Sequence, residues 1–256
     1  MFSNIIEIII LSIVQGISEF LPISSSAHLN IVEIIFQFNS NSLMIDVSLH
    51  LGSLLAIIFY FRKELLDLKN NQRLLSLLII GSIPIVITGY IISTTGLINL
   101  LENNLKIIAW TTLIFGIVLY IADKSKFDKK MSSDLNFKTI LYIGLFQILS
   151  LIPGVSRAGI TITAARIFKF NRFDSSKISF LLAIPAITGA SVLQLKNALE
   201  ENFEINYLIL ISIILSFLFS YFTVKYFLEY INKFSLNVFV IYRIIISIIL
   251  FMIIYN

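Results

Sequence analysis

The sequence predicts an all-α polytopic membrane protein, an inverted repeat of two halves with six full transmembrane helices and two re-entrant helical hairpins. Composition, the distribution of loop charge and the placing of four prolines carry that expectation. Hydrophobic residues fill 57% of the 256 positions and charged residues only 13%, more apolar surface than a soluble domain buries. The apolar runs do not alternate as barrel strands would. Cysteine is absent, which excludes disulfides, thiolate catalysis and Cys-ligated metals. Two histidines, His28 and His50, are too few for a His-rich metal site. The net charge of +4 gathers in a few loops, where it reports topology and not nucleic-acid binding. Residues 1–256 read as a single integral membrane domain, with repeat halves about 1–122 and 139–256.

In chain order, MFSNIIEIII has no basic n-region and runs into a polar motif rather than a cleavage site, so no signal peptide is expected to be removed. Crossing a hydrocarbon core of about 30 Å takes roughly 20 residues. Stretches that meet this are Leu43–Phe61, Leu74–Ser93, Leu105–Ala122, Ile178–Leu195, Tyr207–Val224 and Leu236–Tyr255. Ile5–Phe36 and Thr139–Phe170 are also apolar, but proline and polar residues interrupt each. Basic residues gather in Arg62–Arg73 (Arg62, Lys63, Lys69, Arg73), in Ala122–Lys138 with its lysines, and in Arg166–Lys177 (Arg166, Lys169, Arg172, Lys177). The positive-inside rule makes all three cytoplasmic. Lys196–Asn206, with Glu200, Glu201 and Glu204, reads as external. The stretch between the second and third basic segments must therefore enter and return on one side. By the same logic Asn4 and Asn39–Asn41 are external, and Ile5–Phe36 is a hairpin from the opposite face. The tips should meet near the midplane.

The prolines support a repeat. Gln15…Pro22-Ile-Ser24-Ser25 answers Gln147…Pro153-Gly-Val-Ser156-Arg157, and SLLIIGSIPIVITG (76–89) answers SFLLAIPAITG (179–189). Inverted repeats form their sites between broken helices, and irregular backbone at that depth is tolerated only around a protein-lined cavity.

The first tip lies in QGISEFLPISSSAH (Gln15–His28). Gln15 and Glu19 share a helix face, Pro22 forces a break, and the serines suit the N-cap of a second helix. An ionisable group here costs roughly 2.5–3.5 kcal/mol on insertion scales, so one that is kept has a partner and a use. The second tip, LIPGVSRAGIT (Leu151–Thr161), turns at Pro153-Gly154, caps a helix with Ser156 and places Arg157 in its first turn. A cation there opposes the helix dipole unless an anion joins it. Arg157, Ser156, Thr161 and the helix N–H groups form a phosphate cradle. Facing it, Glu19, Ser25 and His28 offer a base, a nucleophile or a metal ligand.

These two motifs resemble the signature motifs of the undecaprenyl-diphosphate phosphatase family, the bacitracin-resistance type. The likeness extends to DVSLHLGSLLAIIFYF (46–61) and the late IYR of Ile241–Arg243. It implies a bacterial inner-membrane enzyme, its site opening outward, that hydrolyses the terminal phosphate of a C55 polyprenyl diphosphate to give the carrier used in cell-wall synthesis. The family's acidic positions fall on Gln15 and Glu19, its serines on Ser24 and Ser25, and its histidine on His28. The second motif's residues fall on Ser156, Arg157 and Thr161. Glu19, Ser25, His28 and Arg157 are thereby expected to be catalytic, and Gln15, Ser24, Ser156, Thr161 and Gly154 to bind substrate. Serine or water attacks, His28 acts as general base or acid, and Glu19 holds Mg2+ or Ca2+ or orients His28. Gln15 stands where many members have Glu, so a two-carboxylate metal site is excluded, and a cation would be held mainly by phosphate and water. Ala27 and Ala158 stand where Gly and Ser are frequent. Expected partners are the lipid diphosphate and the bilayer, no nucleic acid, and a second copy in a homodimer.

Other polar residues read as structural: Arg166, Arg172 and the lysines as topology signals, and Arg243 as a paired or snorkelling residue. His50, one turn after Asp46, divides evenly between structure and function. The competing class is a polyprenyl-lipid flippase or secondary transporter, which shares the architecture but needs no nucleophile beside an arginine.

Overall fold

The protein is described by a computed structural model, in which residues 2–36, 43–96, 104–125, 129–200 and 207–255 are described. Every described element is helical: α1 (Phe2–Ser18), α2 (Ser25–Phe36), α3 (Leu43–Tyr60), α4 (Arg62–Asp67), α5 (Gln72–Thr95), α6 (Leu105–Asp123), α7 (Met131–Asp134), α8 (Phe137–Gln147), a 3-10 turn (Ile148–Leu151), α9 (Arg157–Ile167), α10 (Arg172–Glu200), α11 (Tyr207–Ile231) and α12 (Asn237–Tyr255). Asparagine side chains cap three of them, Asn71 on α5, Asn104 on α6 and Asn136 on α8. Six helices, α3, α5, α6, α10, α11 and α12, are long and apolar enough to cross a membrane. The chain is an all-α, multi-pass membrane protein.

The two interrupted stretches fold back on themselves. At one end of the bundle the Lys129 N–H donates to the Lys169 carbonyl and the Asn171 N–H to that of Lys129, while Arg73 donates to the Leu135 carbonyl. The start of α8 and the end of α9 therefore lie together, beside the α3–α5 turn. Asp123 fastens this end: its carboxylate takes Nε and Nη2 of Arg172 at 2.8 and 2.9 Å, Nε of Arg166 at 3.2 Å and the Leu236 N–H. Arg166, expected only to signal topology, is fully buried and also donates to the carbonyls of Phe170, Asp123 and Ser125. It clamps the ends of α6 and α9, while Arg172 brings in α10. All the basic segments thus gather at one end, as the loop charge requires. At the other end Ile8 and Leu11 of α1 cluster with Leu29 of α2, with Ile45 and Leu49 of α3, and with Leu208 and Ile211 of α11. The first hairpin enters from there. The expected external loops at Asn39–Asn41 and around Glu201–Glu204 lie outside the described residues.

Small residues let the helices close up. Gly16 on α1 faces Ser216, Phe219 and Ser220 of α11, and Gly144 on α8 faces Gly81 of α5 so closely that an added Cβ would lie 2.1 Å from the Gly81 carbonyl oxygen. Ser216 donates to the Leu49 carbonyl at 2.6 Å and lies 3.0 Å from Ser53, to which Ser220 donates, zipping α3 to α11. Each hairpin's first helix leans on one span, α1 on α11 and α8 on α5, and helix order pairs α3 with α10. The Pro84 helix (α5) and the Pro185 helix (α10) are therefore neighbours with different places in the order, and their likeness does not mark equivalent positions. The hairpin likeness holds in detail. Ser24 (φ +76°) and Ser156 (φ +70°) both have a positive φ immediately before α2 and α9, uncommon for serine.

Candidate active site

The tips meet in the interior. Arg157 reaches across from α9 to Glu19, its Nη2 2.7 Å from Oε1 and 3.4 Å from the Glu19 carbonyl oxygen. Its guanidinium lies 5.8 Å from the centre of the Phe20 ring. Oε2 of Glu19 accepts from Ser25 Oγ at 2.8 Å and from Gln15 Nε2 at 2.9 Å. The same Gln15 nitrogen lies 2.9 Å from Nδ1 of His50. An amide nitrogen only donates, so His50 Nδ1 is the acceptor there and carries no proton. Gln15, Glu19, Ser25 and Arg157 thus form one connected cluster with His50 at its edge. Glu19 is 7% exposed and Gln15 fully buried, so the ion pair acts in a low dielectric.

Two atoms in this cluster are buried without a hydrogen-bond partner among the described residues: Nη1 of Arg157 and Oε1 of Gln15. A buried guanidinium N–H left unmade is costly, and here it belongs to the residue expected to hold phosphate. Ser156 accepts the Gly159 N–H at 3.1 Å, so it caps α9, and its hydroxyl is directed at the Leu21 carbonyl. Both α2 and α9 begin at this junction and bring the positive ends of their dipoles to it.

His28 stands apart. The Ser24 carbonyl can only accept, so His28 Nδ1, 2.6 Å away, carries the proton, and Nε2 faces the Tyr242 hydroxyl at 2.7 Å. The base in contact with Ser25 is Glu19, not His28, and no described hydrogen bond joins Glu19 to His28. The expected pairing of His28 with Ser25, and of Glu19 with His28, is not the arrangement found. Ser24 contributes its carbonyl, its hydroxyl lying 3.3 Å from that of Ser26.

Two residues expected to bind substrate face elsewhere. Thr161 is fully buried; its hydroxyl donates to the Arg157 carbonyl at 2.7 Å and lies 2.6 Å from Ser179 of α10. Gly154 (φ +85°) makes the turn, and a Cβ there would lie 2.2 Å from Thr111 Oγ1. Its carbonyl accepts from Arg243. Arg243, expected to be paired structurally or to snorkel, is paired, with backbone carbonyls as its partners, and does not snorkel. It is fully buried in α12 and donates to backbone carbonyls of both tips, Pro22 at 3.2 Å, Gly154 at 2.9 Å and Val155 at 3.0 Å, and to Thr112 of α6 at 3.1 Å. It pins the junction and adds a second buried cation to it. Gly116 and Gly159 leave room for its path, since a Cβ on either would lie 3.2 or 3.1 Å from it.

A protein-held divalent cation does not fit these residues as arranged. Glu19 is the single carboxylate in the cluster, and both its oxygens are occupied by donors, one of them a guanidinium. Among the described residues no group of three or more His, Asp or Glu side chains is placed to hold a metal. Glu19 is therefore not free to be the expected ligand.

Fold and junction together define a class: a multi-pass membrane protein whose polar site is assembled from two broken hairpins. The family whose sequence model is described as "Bacitracin resistance protein BacA" matches residues 8–249, and the chain belongs to that family. It is 90% identical over 256 residues, the whole of both chains, to a Pelagibacter ubique protein named undecaprenyl-diphosphatase. It is 37% identical to proteins of the same name from Elusimicrobium minutum, over 254 residues and 96% of each chain, and from Saccharophagus degradans, over 263 aligned residues, 95% of this chain and 96% of the other.

Proposed function

We propose that this chain is a membrane phosphatase that hydrolyses undecaprenyl diphosphate to undecaprenyl phosphate and inorganic phosphate, returning the lipid carrier to cell-wall synthesis. The observation that carries the reading is the junction itself, where a nucleophile, its base and a cation with an unused N–H meet within one set of hydrogen bonds. Family membership and the relatives' shared name support the reaction class.

The chemistry follows from the contacts. The terminal phosphate takes Nη1 of Arg157 and the first N–H groups of α9, so that charge on the transferring phosphoryl group is stabilised by preformed donors. Ser25 Oγ attacks the terminal phosphorus in line and passes its proton to Oε2 of Glu19, to which it already donates. The new Ser25–phosphorus bond forms as the anhydride bond breaks, and undecaprenyl phosphate leaves. Glu19 passes that proton to the departing undecaprenyl phosphate and, as a carboxylate again, deprotonates a water that cleaves the phosphoserine and frees inorganic phosphate. His28, three residues along α2, is the second proton carrier. The diphosphate competes with Glu19 for Arg157, and this frees the carboxylate to act as base. Mg2+ or Ca2+ enters this proposal only as a counter-ion carried by the diphosphate.

The setting is the bacterial inner membrane with the site reached from outside, supported by the first hairpin opening opposite the basic end. The chain has no cysteine, so Ser26→Cys labelled by a membrane-impermeant maleimide in whole cells tests that side. Cross-linking in detergent tests the homodimer. The deciding experiment is phosphate release from C55 diphosphate by purified protein, with magnesium, calcium or chelator, for wild type and Arg157→Ala. Release that collapses in the variant supports the reading. No release by folded wild type moves the assignment to a transporter or flippase.

A further inference from the structure

We propose that Tyr242 is a positioning residue that fixes the tautomer and ring plane of His28. The inference rests on the reading of His28 as a working group of the site.

Both ring nitrogens of His28 are committed. Nδ1 must carry the proton because the Ser24 carbonyl accepts. Nε2 therefore presents a lone pair, and the Tyr242 hydroxyl donates to it at 2.7 Å. The two rings lie parallel, 6° apart in plane with centroids 5.4 Å apart, so the tyrosine sets the imidazole's tilt as well as its protonation pattern. Had Nε2 carried the proton, Nδ1 would face the carbonyl lone pairs at 2.6 Å with nothing between them, which is repulsive. The carbonyl and the hydroxyl thus select the same tautomer from opposite sides of the ring, as second partners do for metal-bound and catalytic histidines.

The placement is also rigid. Tyr242 precedes Arg243, which pins α12 to Pro22 in one tip and to Gly154 and Val155 in the other. The Ser24 carbonyl lies two residues from Pro22. The same pin therefore fixes both partners of His28. Sequence alone grouped Tyr242 and Arg243 in the late IYR, without a task for the tyrosine.

The test uses Tyr242→Phe, which keeps the ring and removes only the hydroxyl, in full-length protein in detergent. With one hydrogen bond lost to a proton-transfer group, kcat for C55 diphosphate falls about tenfold while KM changes less than about twofold. In a His28→Ala background the same change has no further effect, because the tyrosine acts through the histidine. A second readout needs no turnover. The protein contains two histidines, so 15N-histidine labelling gives only His28 and His50, and Tyr242→Phe moves the His28 Nε2 resonance while leaving His50 in place. An unmoved Nε2 signal, or an equal loss in the presence and absence of His28, overturns the proposal. If His28→Ala turns over like wild type, the reading of His28 itself fails; an unmoved resonance beside an impaired His28→Ala strikes the tyrosine alone.

Discussion

Replacing Glu19 by glutamine removes a charge with almost no change in shape, and the structure makes opposite demands on kcat and KM. The carboxylate is the acceptor for Ser25 at 2.8 Å and the partner of Arg157 at 2.7 Å. Losing a positioned general base costs typically 10²–10⁴ in rate, so kcat should fall by about that factor. The Arg157 pair should move the other way. Two unit charges 2.7 Å apart attract with about 6 kcal/mol at an effective dielectric of ~20, before desolvation is subtracted. The diphosphate displaces Glu19 from Arg157 against that attraction, and in Glu19→Gln the competitor is neutral. KM for C55 diphosphate should therefore fall below the wild-type value. Phosphate release in detergent, over a range of lipid concentrations, measures both constants, and a thermal scan checks folding, since breaking a buried pair costs about 3–5 kcal/mol. A kcat within about threefold of wild type would sink the assignment of Glu19 as the base. A lower kcat with a raised KM would instead say that Glu19 holds the substrate, as a metal ligand would.

Further outcomes follow from the same contacts. Ser25→Ala should lower kcat as far as Glu19→Gln, and the double variant should be no worse than either alone, because the two act as a unit; additive losses in release assays would favour water as the nucleophile. Arg243→Lys supplies three donors where the guanidinium serves the carbonyls of Pro22, Gly154, Val155 and Thr112, so at least one is left buried and unpaired, at about 1–3 kcal/mol, read as a lowered unfolding midpoint in detergent. Gly144→Ala drives a methyl group into the Gly81 carbonyl and should destabilise by roughly 1–3 kcal/mol with KM unchanged, whereas Gly89→Ala, whose Cβ would meet only Leu151 at an ordinary contact distance of 3.9 Å, should be silent in the same scan.

The six spans and the two hairpins were legible because they depend on residue-level solvation: apolar length, prolines and loop lysines speak one position at a time. The meeting of Glu19 with Arg157 followed from topology, since tips entering from opposite ends must meet. What stayed hidden depends on rotation about helix axes and on contacts distant in sequence. Thr161 lies four residues from Arg157, yet its hydroxyl faces Ser179 and not the junction. His28 and Ser25 share a helix, yet His28 turns to a tyrosine of the last span. Arg243 reads from sequence as a paired or snorkelling cation, and only the fold reveals that its partners are backbone carbonyls, which leave no trace in side-chain identity. His50 was evenly balanced, and Gln15 draws it to the cluster.

Charge at the junction explains why the two hairpins differ in chemistry while agreeing in shape. Glu19 contributes one negative charge, and Arg157 and Arg243 contribute two positive ones, so the buried junction is positive before substrate arrives. That suits a diphosphate, whose charge then completes the site. In the second hairpin the residue four after Gln147 is Leu151, where the first has Glu19 four after Gln15. A carboxylate at Leu151 would cancel the surplus and set Arg157 between two competitors. Gln15 obeys the same constraint. As an amide it donates to Glu19 and to His50 through one nitrogen, whereas a carboxylate there would lie about 3 Å from Glu19 and demand a proton or a metal ion between them. The amide keeps the surplus for the substrate. Gln15→Glu should therefore weaken diphosphate binding in chelator and recover it on adding magnesium; equal KM values for the two proteins in chelator would refute the charge argument.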